Sequence, residues 1–171
     1  MPSSVQTDIC RELVARIRQL TRRVRELERQ ITHRVQGLAP ALLSLPGCGP
    51  LSAAKILAET ADVTRFRSEA AFAMHAGIAP IPASSGARHR HRLQRGGNRQ
   101  LNTAFYRIAV TQARIHPQAR AYLDRQRASG DSKAEAFRAL KRQLARKIYT
   151  LLRADHHASA PPENTAQPAA A

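Results

Sequence analysis

Apolar residues recur at alternating spacings of four and three along the stretch from Asp8 to about Leu38. The positions are Leu13, Ile17, Leu20, Val24, Leu27 and Ile31. This is the a/d rhythm of a coiled coil, in which each apolar side chain leaves water only against a facing helix. We therefore predict a coiled-coil helix over residues 1–38 that joins copies of the chain into a homo-oligomer. The alternative is that this apolar seam packs on the chain's own last helix.

The segment LLSLPGCGPLSAAKIL, residues 42–57, places a Gly-x-Gly turn between two helix-forming stretches. We interpret it as a helix-hairpin-helix over residues 40–60. In that motif the backbone N–H groups of the turn and the positive end of the second helix contact a DNA phosphate, and Lys55 would add a charge. A side chain at Gly47 or Gly49 would obstruct that approach. The alternative is an ordinary turn between helices, with Pro50 at the first helical position.

The remainder of the chain carries further helix signals. N-cap residues, a first-turn proline, glycine stops and a capping box are indicated at Ser68, Asn98, Pro117, Gly77, Gly130 and the pair Ser132 and Glu135. An apolar stripe from Phe137 to Leu151 predicts a last long helix, and we assign Phe72 and Met74 to the core. Residues 154–171 have no core-forming pattern, so we expect a disordered tail there.

These signals together predict an all-α chain. We expect the long N-terminal helix to be followed by a compact helical domain over residues 39–153, which includes the helix-hairpin-helix. Strand content should be at most a short hairpin around a basic loop.

That basic loop combines hydroxyl groups with dense positive charge. Residues 82–98 read PASSGARHRHRLQRGGN, and the expected phosphate contacts in and just after this segment are Arg88, Arg90, Arg92, Arg95, Asn98 and Arg99. A serine that attacks a phosphate needs positive charge to stabilise the developing oxyanion. The alternative is an ordinary surface loop with solvated Arg and His side chains.

The charge balance indicates a polyanionic partner. Lys and Arg number 28 against 12 Asp and Glu, a formal charge of +16, and each phosphate that a protein neutralises releases counterions. Nucleic acid is favoured over a membrane surface. A structural RNA-binding protein is disfavoured, because the chain has no Trp and only 4% aromatic residues for stacking on bases.

Other protein classes lack support in the sequence. Cys10 and Cys48 fall in no CxxC or Cys/His pattern, so we expect no disulfide framework and no cofactor bound by this chain. No apolar run approaches about 18 residues, and the first residues lack the pattern of a signal peptide. We therefore expect a cytoplasmic protein that does not contact membranes.

Four motifs occur in the order LLSLPGCGPLSAAKIL, FRSEAAFAMHAGIAP, SSG and RGGNRQLNTAFYRIA. In this order they resemble the C-terminal domain of the insertion-sequence 110/116/902 transposases, the DEDD-type relatives of the Piv and MooV invertases. The resemblance covers about residues 38–152. It implies an enzyme of DNA transposition and recombination, in which the serine of a Pro-x-x-Ser-Gly context is the nucleophile. That role falls on Ser85 here, with Ser84 as the neighbouring alternative.

Members of this family also carry an upstream RuvC-like domain with acidic metal ligands, which we do not find in this sequence. The resemblance therefore implies that Mg²⁺ would come only with that missing domain, and that this chain is inactive alone. It also allows a guide RNA. We hypothesise a DNA-binding C-terminal part of an insertion-sequence transposase. The alternative is a truncated, non-catalytic module for DNA binding and dimerisation.

Overall fold

The computed structural model describes residues 4–82, 91–92, 94 and 96–159, with only the backbone of residues 82, 91 and 92. The described chain is all-α, as predicted. Its helices are α1 (Val5–Leu38), α2 (Pro40–Leu43), α3 (Pro50–Thr60), α4 (Glu69–His75), α5 (Arg99–Ile115), α6 (Pro117–Ala128) and α7 (Lys133–Ser159), with a short 3-10 turn at Val63–Arg65. Two strands, β1 (Ile81–Pro82) and β2 (His91–Arg92), form an antiparallel pair where the strand hairpin was expected.

The predicted helix boundaries are confirmed by their caps. The side chain of Ser68 accepts a hydrogen bond from the Ala71 N–H at 3.2 Å, and Asn98 Oδ1 accepts one from the Leu101 N–H at 2.9 Å. Ser132 and Glu135 form the reciprocal capping box before α7. Because these caps join residues three apart, a local sequence pattern is enough to predict them.

The core lies between α3, α4, α5 and α7. Its largest fully buried side chains are Phe72, Phe105, Leu42, Ile56, Leu101, Ile108, Ile148 and Thr60. The assignment of Phe72 to the core is confirmed, but that of Met74 is wrong, since Met74 is 47% exposed. Successive helical residues differ by about 100° around the axis, so the buried pair Phe72 and Ala73 turns Met74 towards solvent.

Helix α1 joins the core only at its C-terminal end. Val35 is buried and Ile31 packs partly against the core. The preceding seam positions Leu13, Ile17, Leu20, Val24 and Leu27 are between 40% and 62% exposed. The alternative that this seam packs on the last helix is therefore wrong, and the seam is an uncovered apolar surface.

Helix α7 continues past the expected start of the tail. It ends at Ser159 rather than before residue 154, so the prediction of a disordered tail is wrong for residues 154–159. Leu152 and Asp155 are both buried there, and Asp155 Oδ1 accepts a hydrogen bond from the Ala41 N–H at 3.1 Å. This long-range contact stabilises the last turns of the helix. Residues 160–171 lie outside the described part of the chain.

Among the described residues, none of the helices combines the length and the apolar character that crossing a bilayer requires.

Candidate nucleic-acid interface

The turn between α2 and α3 is fixed on the surface of α5. The Cys48 N–H donates to the Leu45 carbonyl oxygen at 2.9 Å, which closes the turn. From α5, the buried side chain of Gln112 donates through Nε2 to the Pro46 carbonyl oxygen at 2.7 Å. The hairpin is therefore held by a helix that lies 66 residues away in the sequence.

The two glycines of the turn have different roles. Gly47 has φ +81°, and a Cβ atom placed on it would lie 3.2 Å from both the Ile108 carbonyl oxygen and Thr111 Cβ. Gly47 is thus required by the fold itself. Gly49 has φ −77°, and a Cβ atom there would have nothing within 4 Å. The fold of the described residues does not require glycine at position 49.

Cys48, between these glycines, is a packing residue. Its side chain is buried, and burial raises the pKa of its thiol to about 11. The thiol is therefore protonated near neutral pH and is a poor nucleophile or metal ligand.

Helix α3 begins beside this turn without a side-chain cap. Its N-cap residue is Gly49, and Pro50 at the first helical position has no N–H. The first N–H groups of any α-helix have no partner within the helix, and they carry the positive end of its dipole. The start of α3 therefore combines backbone donors that no side chain caps, partial positive charge and an unobstructed approach at Gly49.

Helices α3 and α5 run antiparallel. The turn at Gly47 contacts Thr111, Lys55 Nζ donates to Gln100 Oε1 at 2.6 Å, and Asn98 Nδ2 donates to Glu59 Oε2 at 2.6 Å. The first turn of α5, with the exposed Arg99, therefore lies beside the C-terminal end of α3. The turn between α2 and α3 and the first turn of α5 therefore lie at opposite ends of α3. These ends are about 15 Å apart, because an α-helix rises about 1.5 Å per residue.

Asn98 has a structural role in this arrangement. Its Oδ1 caps α5, its Nδ2 binds Glu59, and its own N–H donates to the His75 carbonyl oxygen at 2.7 Å. Its expected contact with DNA stays a prediction. Lys55 is likewise hydrogen-bonded to Gln100, while Arg99 is exposed.

A close backbone contact fixes the segment just before α5. A Cβ atom on Gly97 would lie 2.2 Å from Gly77 Cα, so only glycine fits there. Asn102 Nδ2 donates to the carbonyl oxygens of Ala76 and Gly77, both at 3.0 Å. Lys141 Nζ then donates to Asn102 Oδ1 at 3.0 Å. These contacts hold Gly97, near the end of the basic loop (residues 82–98), against the C-terminal end of α4.

The charge of α5 extends the basic surface beyond the predicted residues. No Asp or Glu occurs between Glu69 and Asp124. Arg99, Arg107 and Arg114 are all exposed on α5, and their spacings of eight and seven place them on one face. Thr111, which contacts the turn, lies one helical turn from Arg107. Arg107 and Arg114 were not among the predicted contacts, although their spacing was a usable signal.

Several predicted site residues fall in or beside the loop between β1 and β2. Ser85, Ser84, Arg88, Arg90 and Arg95 lie outside the described residues, and Arg92 lies in β2 with only its backbone described. Residues 83–90 connect β1 to β2, whose paired residues are Ile81 with Arg92 and Pro82 with His91. The assignments in this segment stay predictions.

The acidic residues that surround the site do not fit a metal ion. Glu59 binds Asn98, Asp62 caps the 3-10 turn through the Thr64 N–H, and Glu69 pairs with Arg146. Across residues 4–82, 91–92, 94 and 96–159, no three His, Cys, Asp or Glu side chains gather as metal ligands would. We therefore assign no metal chemistry to the described residues.

The fold and the site define a basic, all-helical domain with a glycine turn between helices and an arginine-lined helix beside it. Comparison with known proteins identifies its family. The family model described as "Transposase IS116/IS110/IS902 family" matches residues 39–124, half of the chain. The chain belongs to this family.

Individual relatives agree with this result. The chain is 40% identical, over 68% of its length, to a 43.6 kDa protein of insertion element IS110 from Streptomyces coelicolor. It is 33% identical over 74% of its length to a 44.8 kDa protein of IS116 from Streptomyces clavuligerus, and 35% identical over 75% to a 42 kDa protein of IS900 from Mycobacterium paratuberculosis. These matches cover 29%, 32% and 32% of the relatives, so the chain spans about a third of their length.

Proposed function

We propose that this chain is the DNA-binding C-terminal part of an insertion-sequence transposase. The observation that carries the proposal is the uncapped start of α3 beside Gly49, on a hairpin held by α5. Backbone N–H groups at a helix N-terminus bind phosphate oxygens, and glycine allows the nucleic acid to come close. Membership in a transposase family supports DNA as the polyanionic partner.

The geometry supports a binding surface with more than one point of contact. The start of α3 and the first turn of α5 are about 15 Å apart, which corresponds to about four base pairs along a DNA axis. Arg107 and Arg114 lie on α5 between and beyond these points. Lys55 and Arg99 would add contacts at the same surface. Phosphate contacts of this kind position a protein on DNA without reading its sequence.

The finer proposal concerns catalysis. By its resemblance to the family, we propose that Ser85 is the nucleophile for strand exchange. Its Oγ would form a bond to a DNA phosphorus while the bond from that phosphorus to a deoxyribose oxygen breaks. The hydroxyl proton would leave with the displaced oxygen, and nearby arginines such as Arg88 and Arg92 would stabilise the added negative charge.

A second candidate function is a non-catalytic module that binds DNA and self-associates. The exposed seam of α1 favours this alternative, because it offers an association surface without needing chemistry. The two candidates share DNA binding and differ only in whether a covalent protein–DNA adduct forms. Either could also accept a guide RNA, which presents the same phosphate charge.

Substitution at Gly49 tests the shared part of the proposal. Gly49→Leu removes no charge, and its Cβ atom would have nothing within 4 Å, so the fold should lose at most about 1 kcal/mol through the poorer N-cap. We expect its affinity for a labelled DNA duplex to fall about tenfold, through loss of charge-assisted hydrogen bonds.

The matched control is Gly37→Leu, because Gly37 also has nothing within 4 Å but lies in α1. It should bind DNA as the wild type does. Gly47→Leu would be uninformative, since it would distort the fold. Circular dichroism should show that both variants are folded. Equal DNA affinities of the two folded variants would show that the turn between α2 and α3 is not part of the DNA-binding surface.

A further inference from the structure

Of the aromatic side chains that the structure describes, only Tyr106 is left largely in solvent. The chain has four Phe, three Tyr and no Trp, and every one of these rings lies in the described residues. All the others are buried in the core or pack against it: Phe66, Phe72, Phe105, Tyr122, Phe137 and Tyr149. Tyr106 is 53% exposed. Its ring is therefore free to contact a partner.

This ring lies among arginines on the solvent face of α5. Arg99 is exposed two helical turns before Tyr106, and Arg107 is exposed beside it. No Asp or Glu occurs between Glu69 and Asp124, so α5 itself carries no opposing charge. An aromatic ring within a positively charged surface is typical of sites for single-stranded nucleic acid, where arginines bind phosphates and the ring stacks on a base.

The neighbours of Tyr106 on the helix leave its ring accessible. The residues one turn away on the same face are Thr103 and Val110, and the Thr103 hydroxyl donates back to the helix backbone at 2.8 Å. Guanidinium groups lie over the rings of Phe66 and Tyr122. Within the described part of the chain, none lies over Tyr106. A flat base can therefore approach this ring without displacing a cation.

Tyr106 is also close to the end of the basic loop. Asn102, one helical turn earlier on α5, donates to the carbonyl oxygens of Ala76 and Gly77. Gly97, near the end of the basic loop, packs directly on Gly77. A strand whose base lies on Tyr106 would therefore pass close to this end of the loop.

We propose that Tyr106 stacks on an unpaired base of a DNA strand, while Arg99 and Arg107 bind phosphates of the same strand. The inference rests on the proposed function and deepens it, because it assigns to α5 a single strand as well as duplex phosphates. A base inside a duplex is stacked on its neighbours and cannot reach the ring. Strand exchange requires DNA strands to leave their duplex, so a domain that takes part in it meets unpaired bases.

Two single strands with the same phosphates test the proposal on the full chain. One is an oligothymidylate, and the other is an abasic strand of equal length, which lacks every base. Wild type should bind the oligothymidylate about tenfold more tightly in anisotropy titrations, because stacking of one base on an aromatic side chain contributes about this factor. Tyr106→Leu should bind both strands equally. Tyr106→Phe should keep the preference, because it keeps the ring.

Two further variants serve as controls. Ile115→Ala is matched to Tyr106→Leu, because Ile115 is also a large apolar side chain on α5 and is 62% exposed, but it has no ring. Its preference for the oligothymidylate should stay at the wild-type value. Arg107→Ala should weaken the binding of both strands by a similar factor, since it removes a phosphate contact. If Tyr106→Leu aggregated, Tyr106→Gln would give the same readout with a polar helix former.

Equal binding of the two strands by wild type, or a preference that persists in the folded Tyr106 variants without a ring, would overturn the proposal. A labelled duplex separates this outcome from a failure of the proposed function. Tyr106→Leu should bind the duplex as wild type does. If wild type bound neither the duplex nor the strands, DNA binding itself would be refuted. Normal duplex binding with equal affinity for the two strands would refute only the stacking role of Tyr106.

Discussion

Lys141 Nζ in α7 donates a hydrogen bond to Asn102 Oδ1 in α5 at 3.0 Å, across 39 residues of sequence. Asn102 in turn donates to the carbonyl oxygens of Ala76 and Gly77. Through these contacts, the buried ammonium of Lys141 on α7 holds the backbone at Ala76 and Gly77. The end of the basic loop, at Gly97, lies against this backbone. The site's geometry thus depends on a residue that is far from it in sequence.

This buried ammonium predicts a pH dependence of stability. Burial, and then the nearby charge of Arg138, lower the pKa of Lys141 below its ordinary value of 10.5. The folded state therefore binds this proton less tightly than the unfolded state, and the group's contribution to the free energy of unfolding increases as pH rises from the folded pKa towards 10.5. Wild type should gain stability relative to Lys141→Met in the alkaline range below pH 10.5, measured by urea unfolding.

The control for this experiment is Lys147→Met, an exposed lysine on the same helix. Its difference from wild type should stay flat over the same pH range. If the difference in unfolding free energy between wild type and Lys141→Met were also independent of pH, burial would not lower the pKa of Lys141 in the folded protein.

The contact between Asn98 and Glu59 predicts a coupled pair of substitutions. Asn98→Asp keeps an oxygen that can cap the Leu101 N–H, but it places a second carboxylate against Glu59. We expect it to lose about 1–2 kcal/mol of unfolding free energy. Glu59→Gln in that background should restore about 1 kcal/mol or more, because it supplies a donor. Additive effects in this double-mutant cycle would contradict the coupling.

These contacts show what sequence reasoning could and could not reach. The caps at Ser68, Asn98 and Ser132 were predictable because each joins residues three apart. The partner of Lys141 was not predictable, because apolar periodicity indicates which face of a helix is buried but not which residue lies opposite that face. Lys141 itself lies four residues after Phe137 on the apolar stripe of α7, so its burial was foreseeable although its partner was not.

The same limit explains the corrections at Met74 and in the tail. Met74 follows Phe72 and Ala73 on a helix of seven residues, which is too short for apolar periodicity to show which face is buried. The tail was expected from residue 154 because its composition has no apolar stripe, yet Asp155 is held by the Ala41 N–H from the other end of the domain. At the site, the Gly47 requirement comes from Thr111, a contact that only the folded chain reveals.

The uncovered seam of α1 predicts self-association. Leu20→Lys should shift the full chain towards monomer in sedimentation velocity at tens of micromolar, since a charge in an a/d seam opposes helix pairing. The matched control is Gln19→Lys, which adds the same charge to a neighbouring exposed position. Removal of residues 1–38 is a poorer test, because it would also remove the buried Val35. A monomeric wild type at the same concentration would refute association through α1.

The serine proposal predicts a separation of binding from chemistry. Ser85→Ala removes one hydroxyl and no charge, so DNA affinity should stay near the wild-type value. The variant should form no covalent protein–DNA adduct in reactions supplemented with Mg²⁺ and the RuvC-like domain that the resemblance implies. Arg88→Ala and Arg92→Ala should lower both affinity and adduct yield.

Denaturing gel electrophoresis of labelled DNA detects this adduct. Loss of adduct in Ser84→Ala but not in Ser85→Ala would move the nucleophile by one residue. An adduct that persists in the double serine variant would leave the chain as a binding module.

The salt dependence of DNA affinity tests the central claim most directly, because each phosphate contact contributes about one unit to the slope of log affinity against log salt. Anisotropy titrations of a labelled duplex should show affinity falling about tenfold or more between about 50 and 200 mM salt. The variant carrying both Arg107→Ala and Arg114→Ala should reduce that slope by about two units, and Arg127→Ala on α6 should not reduce it comparably. An affinity of wild type that does not change with salt would contradict the account of this chain as a phosphate-binding domain.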